Sequence, residues 1–193
     1  MKQSASETDD QGETMWILDP VQLRCLASAA RLDIVDQLAG HGTMSISELG
    51  KALGREPSSL YHHMRQLLTH GLVLEDGTRT VNRRVEKLYR TPSRRMRLRK
   101  ALADPANADI MRDHVRALLR QAERDFVAGQ KLPGAAVEGP DKTLGFARLV
   151  SRMDAERLER FNALLEQMAE LMWEENEPDA PGITFTWVLA PTE

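Results

Sequence analysis

The chain has 193 residues, of which 41% are apolar and 28% charged, and its formal net charge is −3. This size and composition are typical of a globular protein, and no apolar run approaches the roughly 20 residues of a membrane span. Cys25 is the single cysteine, which excludes an intrachain disulfide and a cysteine-rich metal site. The start, MKQSASETDDQGET, lacks an apolar signal core. We expect residues 1–15 to be a disordered tail and the protein to be cytoplasmic.

The net charge hides a basic segment. Between Arg79 and Lys100 lie ten Lys or Arg residues and one acid, Glu86, so this segment carries +9 and the remainder −12. A concentrated basic segment on an otherwise acidic chain is typical of a protein with a polyanion partner. The alternative interpretation is a solvated basic loop.

Three helices are predicted before residue 55. Asp19-Pro20 starts the first, with Asp as N-cap and Pro at the first helical position. The run ARLDIVDQLAG has the apolar spacing of a core helix and ends at Gly40. Ser45 and Glu48 have the spacing of a capping box, which predicts a short third helix.

The fourth helix opens at Pro57 and contains SSLYHHMRQL. His70 and Gly71 close it, and Leu72 can pack back on the helix as in a Schellman motif. The apolar spacing predicts that its buried face consists of Leu60, Met64, Leu67 and Leu68. The helix therefore directs the neighbouring His62 and His63 to different sides, about 100° apart.

An extended run, LVLEDGTRTVNRRVEKLYRT, follows this helix and predicts a β-hairpin. Two turn signals compete for its tip, Asp76-Gly77 and Asn82, and the sequence leaves this choice open. After Pro92 the basic connector SRRMRLRK could extend as a strand.

The C-terminal half is predicted to be mainly helical. One helix starts at Asp104-Pro105, and a Gly/Pro-rich connection and a short strand, FARLV, lead to a second helix from Asp154 to about Glu175. The final run ITFTWVLAP alternates with period two and predicts a strand. The second helix has a narrow apolar seam that suits pairing with another long helix, across a dimer or within the chain: Leu158, Phe161, Leu165, Met168 and Met172.

The order helix, turn, helix, basic hairpin is that of a winged helix-turn-helix. The segments CLASAARLDIVDQL, SISELGKALG, PSSLYHHMRQL and GLV make residues 17 to about 100 resemble the DNA-binding domain of ArsR-like transcription regulators. The resemblance implies a dimeric regulator whose second motif helix enters the major groove while the wing follows the DNA backbone.

The spacing of the fourth helix supports the same interpretation. A helix in this mode presents its exposed N-terminal residues to base edges, where Arg65 can bond guanine O6 and N7. Serine hydroxyls can reach a phosphate, and wing arginines neutralise phosphates. His63 is assigned a supporting role. The predicted DNA-binding residues are Ser58, Ser59, Tyr61, His62, Arg65, Arg79, Arg83 and Arg84.

Other function classes fit less well. The sequence has no GxSxG motif, phosphate-binding glycine loop or zinc-hydrolase motif, so we predict no enzyme activity and no cofactor. A metal-responsive sensor of the same fold is an alternative, although the histidines lack i,i+4 spacing. A winged-helix protein-interaction module without DNA binding is another, but the outer face of residues 58–66 carries Ser, Tyr, His and Arg. An unidentified small-molecule effector could bind the C-terminal half.

The predicted fold class is mainly α with a small β-wing. A winged helix-turn-helix over residues 16–100 is followed by a helical dimerisation region with a C-terminal strand over residues 101–193. The predicted function is a homodimeric, sequence-specific repressor with recognition helix 57–70 and basic wing 75–90. Its partners are double-stranded DNA with a pseudo-palindromic operator and a second copy of the chain, with no membrane.

Overall fold

The computed structural model describes residues 6–8, 14–174, 180 and 182–192. The chain divides into two compact units. The first ends at Gln121 and also takes in the residues from Thr186 onward, and the second spans Ala122 to Phe185. The helix-turn-helix lies wholly in the first unit.

The first unit contains four helices before the wing hairpin: α1 (Pro20–Leu26), α2 (Ala29–His41), α3 (Ile46–Ala52) and α4 (Pro57–Thr69). The caps predicted from the sequence are present. The Asp19 side chain accepts a hydrogen bond from the Val21 amide at 2.9 Å, and Ser45 and Glu48 form a reciprocal capping box. The predicted helix-turn-helix order is therefore confirmed.

The end of α4 is a Schellman motif. Leu72 N–H donates to the Leu67 carbonyl at 2.9 Å, and Gly71 N–H donates to the Leu68 carbonyl at 3.1 Å. Gly71 has φ +66°, a left-handed conformation that glycine adopts without steric cost. Because Leu72 is completely buried, this motif fixes the direction in which the chain leaves α4 toward the wing.

The wing is a three-stranded sheet in the order β3–β5–β4, formed by β3 (Met44–Ser45), β4 (Leu74–Val81) and β5 (Arg84–Arg90). Its tip is the two-residue turn Asn82-Arg83, closed by the pair Val81 and Arg84. The other candidate for the tip, Asp76-Gly77, lies at an irregularity of register within β4.

A second sheet has the order β1–β2–β6, with β1 (Ser6–Thr8), β2 (Thr14–Ile17) and β6 (Arg95–Arg97). β2 runs parallel to β6, so the basic connector does extend as a strand. The sequence predicts a disordered tail over residues 1–15, but β1 and the start of β2 lie in that range. The rest of the tail is outside the described residues. β2 is ordered by its pairing with β6, a strand about 80 residues further along the chain. No local sequence pattern predicts this pairing.

The core of the first unit is built mainly from aliphatic side chains of the four helices and the adjoining strands. Of the four residues predicted to form the buried face of α4, three are inside this core and Leu68 is partly buried against it. The largest fully buried side chains include Ile17, Leu23, Leu26, Ile34, Leu38, Leu49, Leu60, Met64, Leu67 and Leu72.

Two 3-10 turns, Arg99–Ala103 and Pro105–Asn107, lead into α5 (Ala108–Gly129). The predicted helix start at Asp104-Pro105 is therefore a 3-10 turn, with the Asp104 side chain as its N-cap. The first half of α5 packs on the helix-turn-helix, since His114 Nε2 donates to the Leu23 carbonyl at 2.8 Å. Burial lowers the pKa of His114.

The second unit contains the end of α5 and the helix α6 (Ala155–Met172), whose N-cap is Asp154. The sequence predicted this helix from Asp154 to about Glu175, and Glu175 lies outside the described residues. The two other strands predicted for the C-terminal half are wrong: neither FARLV nor residues 183–189 is a strand. A strand needs a hydrogen-bonding neighbour, and no described strand of the chain pairs with either segment. No helix in the described ranges has both the length and the apolar character to cross a membrane.

Candidate nucleic-acid interface

One face of α4 is polar and open to solvent. Leu60, Met64 and Leu67 are at most 2% exposed, and this spacing turns the intervening residues outward. Tyr61 is 57% exposed, and Ser58, His62 and Arg65 are exposed beside it. The face offers a hydroxyl, a phenol, an imidazole and a guanidinium, which suit base edges and phosphates.

Two residues of the same helix are placed differently. Ser59 is exposed, but its hydroxyl donates to the Glu56 carbonyl at 2.7 Å and thus braces the first turn of α4. His63 is half-buried, with its ring 5.7 Å from that of His62 in an edge-on arrangement. Burial lowers the pKa of His63, and the nearby Arg31, His62 and Arg55 lower it further. Its position agrees with a supporting role rather than with a metal pair.

Of the three wing arginines that the sequence predicted to contact DNA, Arg83 and Arg84 lie at the exposed tip of the wing. Asn82 and Arg83 have φ values of +50° and +63°, the signature of a type I′ turn. Asparagine tolerates this conformation, whereas arginine adopts it at a steric cost. The turn thus holds a cationic side chain at the point of the wing furthest from its base.

The sequence analysis grouped Arg79 with these tip residues, but the Arg79 side chain forms ion pairs with two acids of the same chain. Its Nη2 lies 2.8 Å from Glu48 Oε1 and 3.6 Å from Glu86 Oε2. The hydrogen bond to Glu48 raises the pKa of Arg79. Two hydrogen bonds lower the pKa of Glu48: the larger effect comes from the Ser45 amide and the smaller from Arg79. Arg79 therefore ties the wing to α3.

A second set of contacts holds the base of the wing. Thr43 Oγ1 donates to Asp76 Oδ2 at 2.7 Å, and Arg90 Nε donates to Asp76 Oδ1 at 3.2 Å. Lys87 Nζ lies 2.8 Å from Glu75 Oε1. The sequence presents Lys87 and Arg90 only as part of a basic run, and no local pattern reveals their acidic partners. Together with Arg79 they fix the angle at which the tip projects.

The basic segment between Arg79 and Lys100 does not form one surface. Its first part is the wing, whereas its last part gathers around Trp16 of β2. The Arg97 and Arg99 guanidinium carbons and Lys100 Nζ lie 5.9, 5.3 and 4.4 Å from the centroid of that ring. Cation–π contacts of this kind join β2 to β6 through Arg97 and to the following 3-10 turn through Arg99 and Lys100. They account for part of the charge that the sequence analysis assigned to a polyanion partner.

Sequence reasoning missed two residues that shape the turn between α3 and α4: Gly50, which lies in α3, and Arg55, which lies in the turn. Arg55 N–H donates to the Gly50 carbonyl at 2.8 Å, and the Arg55 guanidinium pairs with the buried Asp33 of α2 at 3.1 Å. A Cβ on Gly50 would lie 2.8 Å from the Arg55 carbonyl oxygen. Gly50 therefore permits the close approach that sets the angle between α3 and α4. A glycine inside a predicted helix was the available signal.

The described residues give little support for a metal site with a cysteine thiolate ligand. Cys25 is buried, and burial raises the pKa of its thiol, which disfavours the thiolate that a soft metal needs. Within the described ranges, no three His, Cys, Asp or Glu residues come together as a metal site.

The predicted dimer seam lies on α6, in the second unit. Leu158, Met168 and Met172 are between 41% and 44% exposed, and Phe161 and Leu165 are partly exposed. The helix itself buries no residue. The seam is thus available on the surface of the single chain.

Comparison with known families agrees with this geometry. Residues 26–76 match a family model described as a helix-turn-helix domain, from the last residue of α1 through α4 into β4. No curated protein matches the chain. The match identifies the helix-turn-helix, and it points to a DNA-binding regulator of transcription rather than to an enzyme.

Proposed function

We propose that this protein is a homodimeric, sequence-specific transcriptional repressor of the ArsR-like kind. Its main support is the exposed polar face of α4, with Ser58, Tyr61, His62 and Arg65, together with a wing whose tip carries two exposed arginines. The helix-turn-helix family that matches residues 26–76 includes ArsR-type regulators, which supports the finer assignment.

The mechanism follows from the placement of these groups. α4 enters the major groove and presents Arg65 to a guanine, while Ser58 and the first turn of α4 meet a phosphate. Arg83 and Arg84 neutralise phosphates next to the groove, and Arg79 holds the wing at its angle. A dimer with two-fold symmetry then reads two half-sites about one helical turn apart, which is a pseudo-palindromic operator. Bound at a promoter, it blocks transcription.

Selection of bound sequences from random DNA tests the function directly. We expect the wild-type protein to enrich a pseudo-palindrome. Arg65→Ala is expected to weaken binding by about 1–3 kcal/mol at one position of each half-site, because it removes the bidentate hydrogen bonds to guanine. The matched control is Arg112→Ala on α5, which removes an exposed arginine far from α4 in sequence. Failure to enrich any sequence would instead favour a winged-helix module that binds proteins.

A small-molecule effector for the C-terminal half stays a prediction. The chain has a shallow depression beside the first turn of α6, lined by residues that include Arg157, Arg160 and Phe161. A thermal-shift screen of metabolite classes is the appropriate test, since a ligand that binds the folded state raises the melting temperature. No shift with any class would favour a C-terminal half that serves dimerisation alone.

A further inference from the structure

Basic side chains from three segments come together where α2 meets the turn before α4. Arg31 lies in the first turn of α2, Arg55 lies in the turn, and His63 lies in α4. α2 packs on α4, and the Arg55 guanidinium reaches Asp33 of α2 at 3.1 Å. The turn is therefore tied to the same part of α2 that carries Arg31. We call Arg31, Arg55 and His63 the α2–α4 cluster.

His63 lies within the electrostatic reach of the other members. Burial has the largest effect in lowering the pKa of His63, and the positive charges of Arg31 and Arg55, with the neighbouring His62, lower it further. An imidazole loses affinity for its proton in this way only when the cations are close to the ring. No acid adds a compensating effect at His63. Its surroundings are thus positive.

Arg31 has hydrogen-bond donors that the described residues leave unused. Its Nε donates to the Cys25 carbonyl, which holds the guanidinium beside the end of α1. Among the described residues, no acid forms an ion pair with Arg31, and the side chain is only partly buried. A guanidinium has five N–H donors in a planar fork. The two terminal nitrogens are therefore available to a ligand.

The start of α2 adds to the positive potential of the cluster. Its first turn contains no acid, and the side chain of its N-cap, Ser28, makes no capping hydrogen bond. A helix N-terminus carries a partial positive charge, so an arginine in the first turn is unfavourable unless an anion lies nearby. The acid that these contacts identify is Asp33, which pairs with Arg55. Two guanidinium groups and one carboxylate leave the cluster positive.

The cluster adjoins the exposed polar face of α4. The ring of His63 lies 5.7 Å from that of His62, which belongs to this face. The Arg55 side chain is 35% exposed, so solvent reaches the cluster. In the proposed function this face of α4 lies in the major groove, which is bordered on each side by the phosphates of one strand. A positive site beside the face is therefore placed next to a row of phosphates.

We propose that the α2–α4 cluster is a phosphate-binding site, which is filled by a backbone phosphate of one DNA strand when α4 enters the major groove. Arg31 donates to the phosphate from its terminal nitrogens, and Arg55, held in place by Asp33, adds positive charge from the turn. His63 lies beside the phosphate, where a negative charge stabilises the protonated imidazole. The inference rests on the proposed function and deepens it, since contacts from α2 would fix the position of α4 along the groove.

The imidazole resonances of His63 report whether the site is filled. They are assigned by their loss in His63→Gln and followed by NMR against pH in the free protein, with duplex DNA and with inorganic phosphate. Both ligands are expected to raise the pKa of His63, because an anion beside the ring favours its protonated form. The exposed His41, at the other end of α2, is the internal control, and its resonances are expected to stay unchanged. A pKa of His63 that is the same with and without bound DNA would overturn the inference.

A pair of substitutions at Arg31 separates its charge from its local packing. Both Arg31→Gln and Arg31→Lys remove the Nε hydrogen bond to the Cys25 carbonyl, but only Arg31→Gln removes the charge. Arg31→Gln is expected to lower the slope of log K against log salt for DNA binding by about 0.9, the value for one phosphate contact. Arg31→Lys is expected to keep the slope of the wild-type protein. Equal slopes in the two variants would show that Arg31 does not contact a phosphate.

The two ligands also separate this inference from the proposed function. If the protein selects a DNA sequence while the pKa of His63 and the slope in Arg31→Gln stay at their starting values, the phosphate site is wrong and the function stands. If the protein binds no duplex DNA but inorganic phosphate raises the pKa of His63, the site binds a free phosphate and the function is wrong. A protein that responds to neither ligand would overturn both.

Discussion

The absence of a Cβ at Gly50 allows the turn between α3 and α4 to pack closely against α3. Gly50 lies in α3, where a Cβ would lie 2.8 Å from the Arg55 carbonyl oxygen and 3.1 Å from Pro57 Cγ. Since a carbonyl and a proline ring cannot move independently of the chain, an added methyl group must displace the turn. The angle between α3 and α4 would change with it.

Gly50→Ala is expected to destabilise the protein by about 1–3 kcal/mol, as overpacking of a tight site does. The matched control is Gly40→Ala in α2, where a Cβ meets nothing within 4 Å and alanine is the better helix former. We expect that control to be neutral or stabilising. Denaturant unfolding at one fixed protein concentration measures both. Equal stability of the two variants would contradict the close approach at Gly50.

At the scale of the element, the wing divides into a base that holds it and a tip that is available to DNA. Arg79, Lys87 and Arg90 are paired with acids, whereas Arg83 and Arg84 are on the turn and its edge. Basic residues that are neighbours in the sequence therefore differ in their surroundings, since some pair with acids and others lie at the exposed tip. These ion pairs make Arg79 a positioning residue in the proposed function.

Salt dependence of DNA binding distinguishes the two groups. Removing one cation that pairs with a phosphate lowers the slope of log K against log salt by about 0.9. Arg83→Ala with Arg84→Ala is therefore expected to lower the slope by about 2, and Arg79→Ala to weaken binding with little change in slope. Fluorescence anisotropy between roughly 50 and 200 mM salt provides the comparison. A slope lowered by about 0.9 in Arg79→Ala, the share of one phosphate contact, would assign Arg79 to DNA.

At the scale of the whole molecule, α5 links the helix-turn-helix to the C-terminal half, and His114 fastens its first half to α1. His114 is packed against the Leu23 carbonyl, and burial lowers its pKa, although the hydrogen bond and Asp113 oppose that effect. A histidine with a lowered pKa in the folded state binds its proton more readily when unfolded. It therefore favours the folded state above its unfolded pKa of about 6.5, and this contribution disappears as pH falls below that value.

The free energy of unfolding is accordingly expected to decrease between about pH 7.5 and pH 5.5. His114→Gln keeps a donor for the Leu23 carbonyl but cannot take up a proton, so the decrease should be smaller in this variant. His63, with its lowered pKa, accounts for a further part of the decrease. Urea unfolding at the two pH values measures the effect. An identical decrease in His114→Gln would mean that His114 does not titrate in this range.

Local structure in the first half of this protein could be predicted from the amino-acid sequence alone. The caps at Asp19 and Ser45, the Schellman end of α4 and the buried spacing of Leu60, Met64 and Leu67 were all readable, because each depends on neighbours within one or two helical turns. For the same reason, the exposed face of α4 could be predicted.

Features that depend on distant partners were decided only by the tertiary fold. The tip of the wing is the turn Asn82-Arg83, and Arg79 forms an ion pair with Glu48. The end of the basic segment packs on Trp16. Residues 183–189 have no described strand neighbour. An ion pair or a strand pair is formed between residues far apart in the chain, and no local pattern records which partner will come into reach. That physical difference separates the helix caps and buried spacings, which are local, from the wing contacts and strand pairs, which are not.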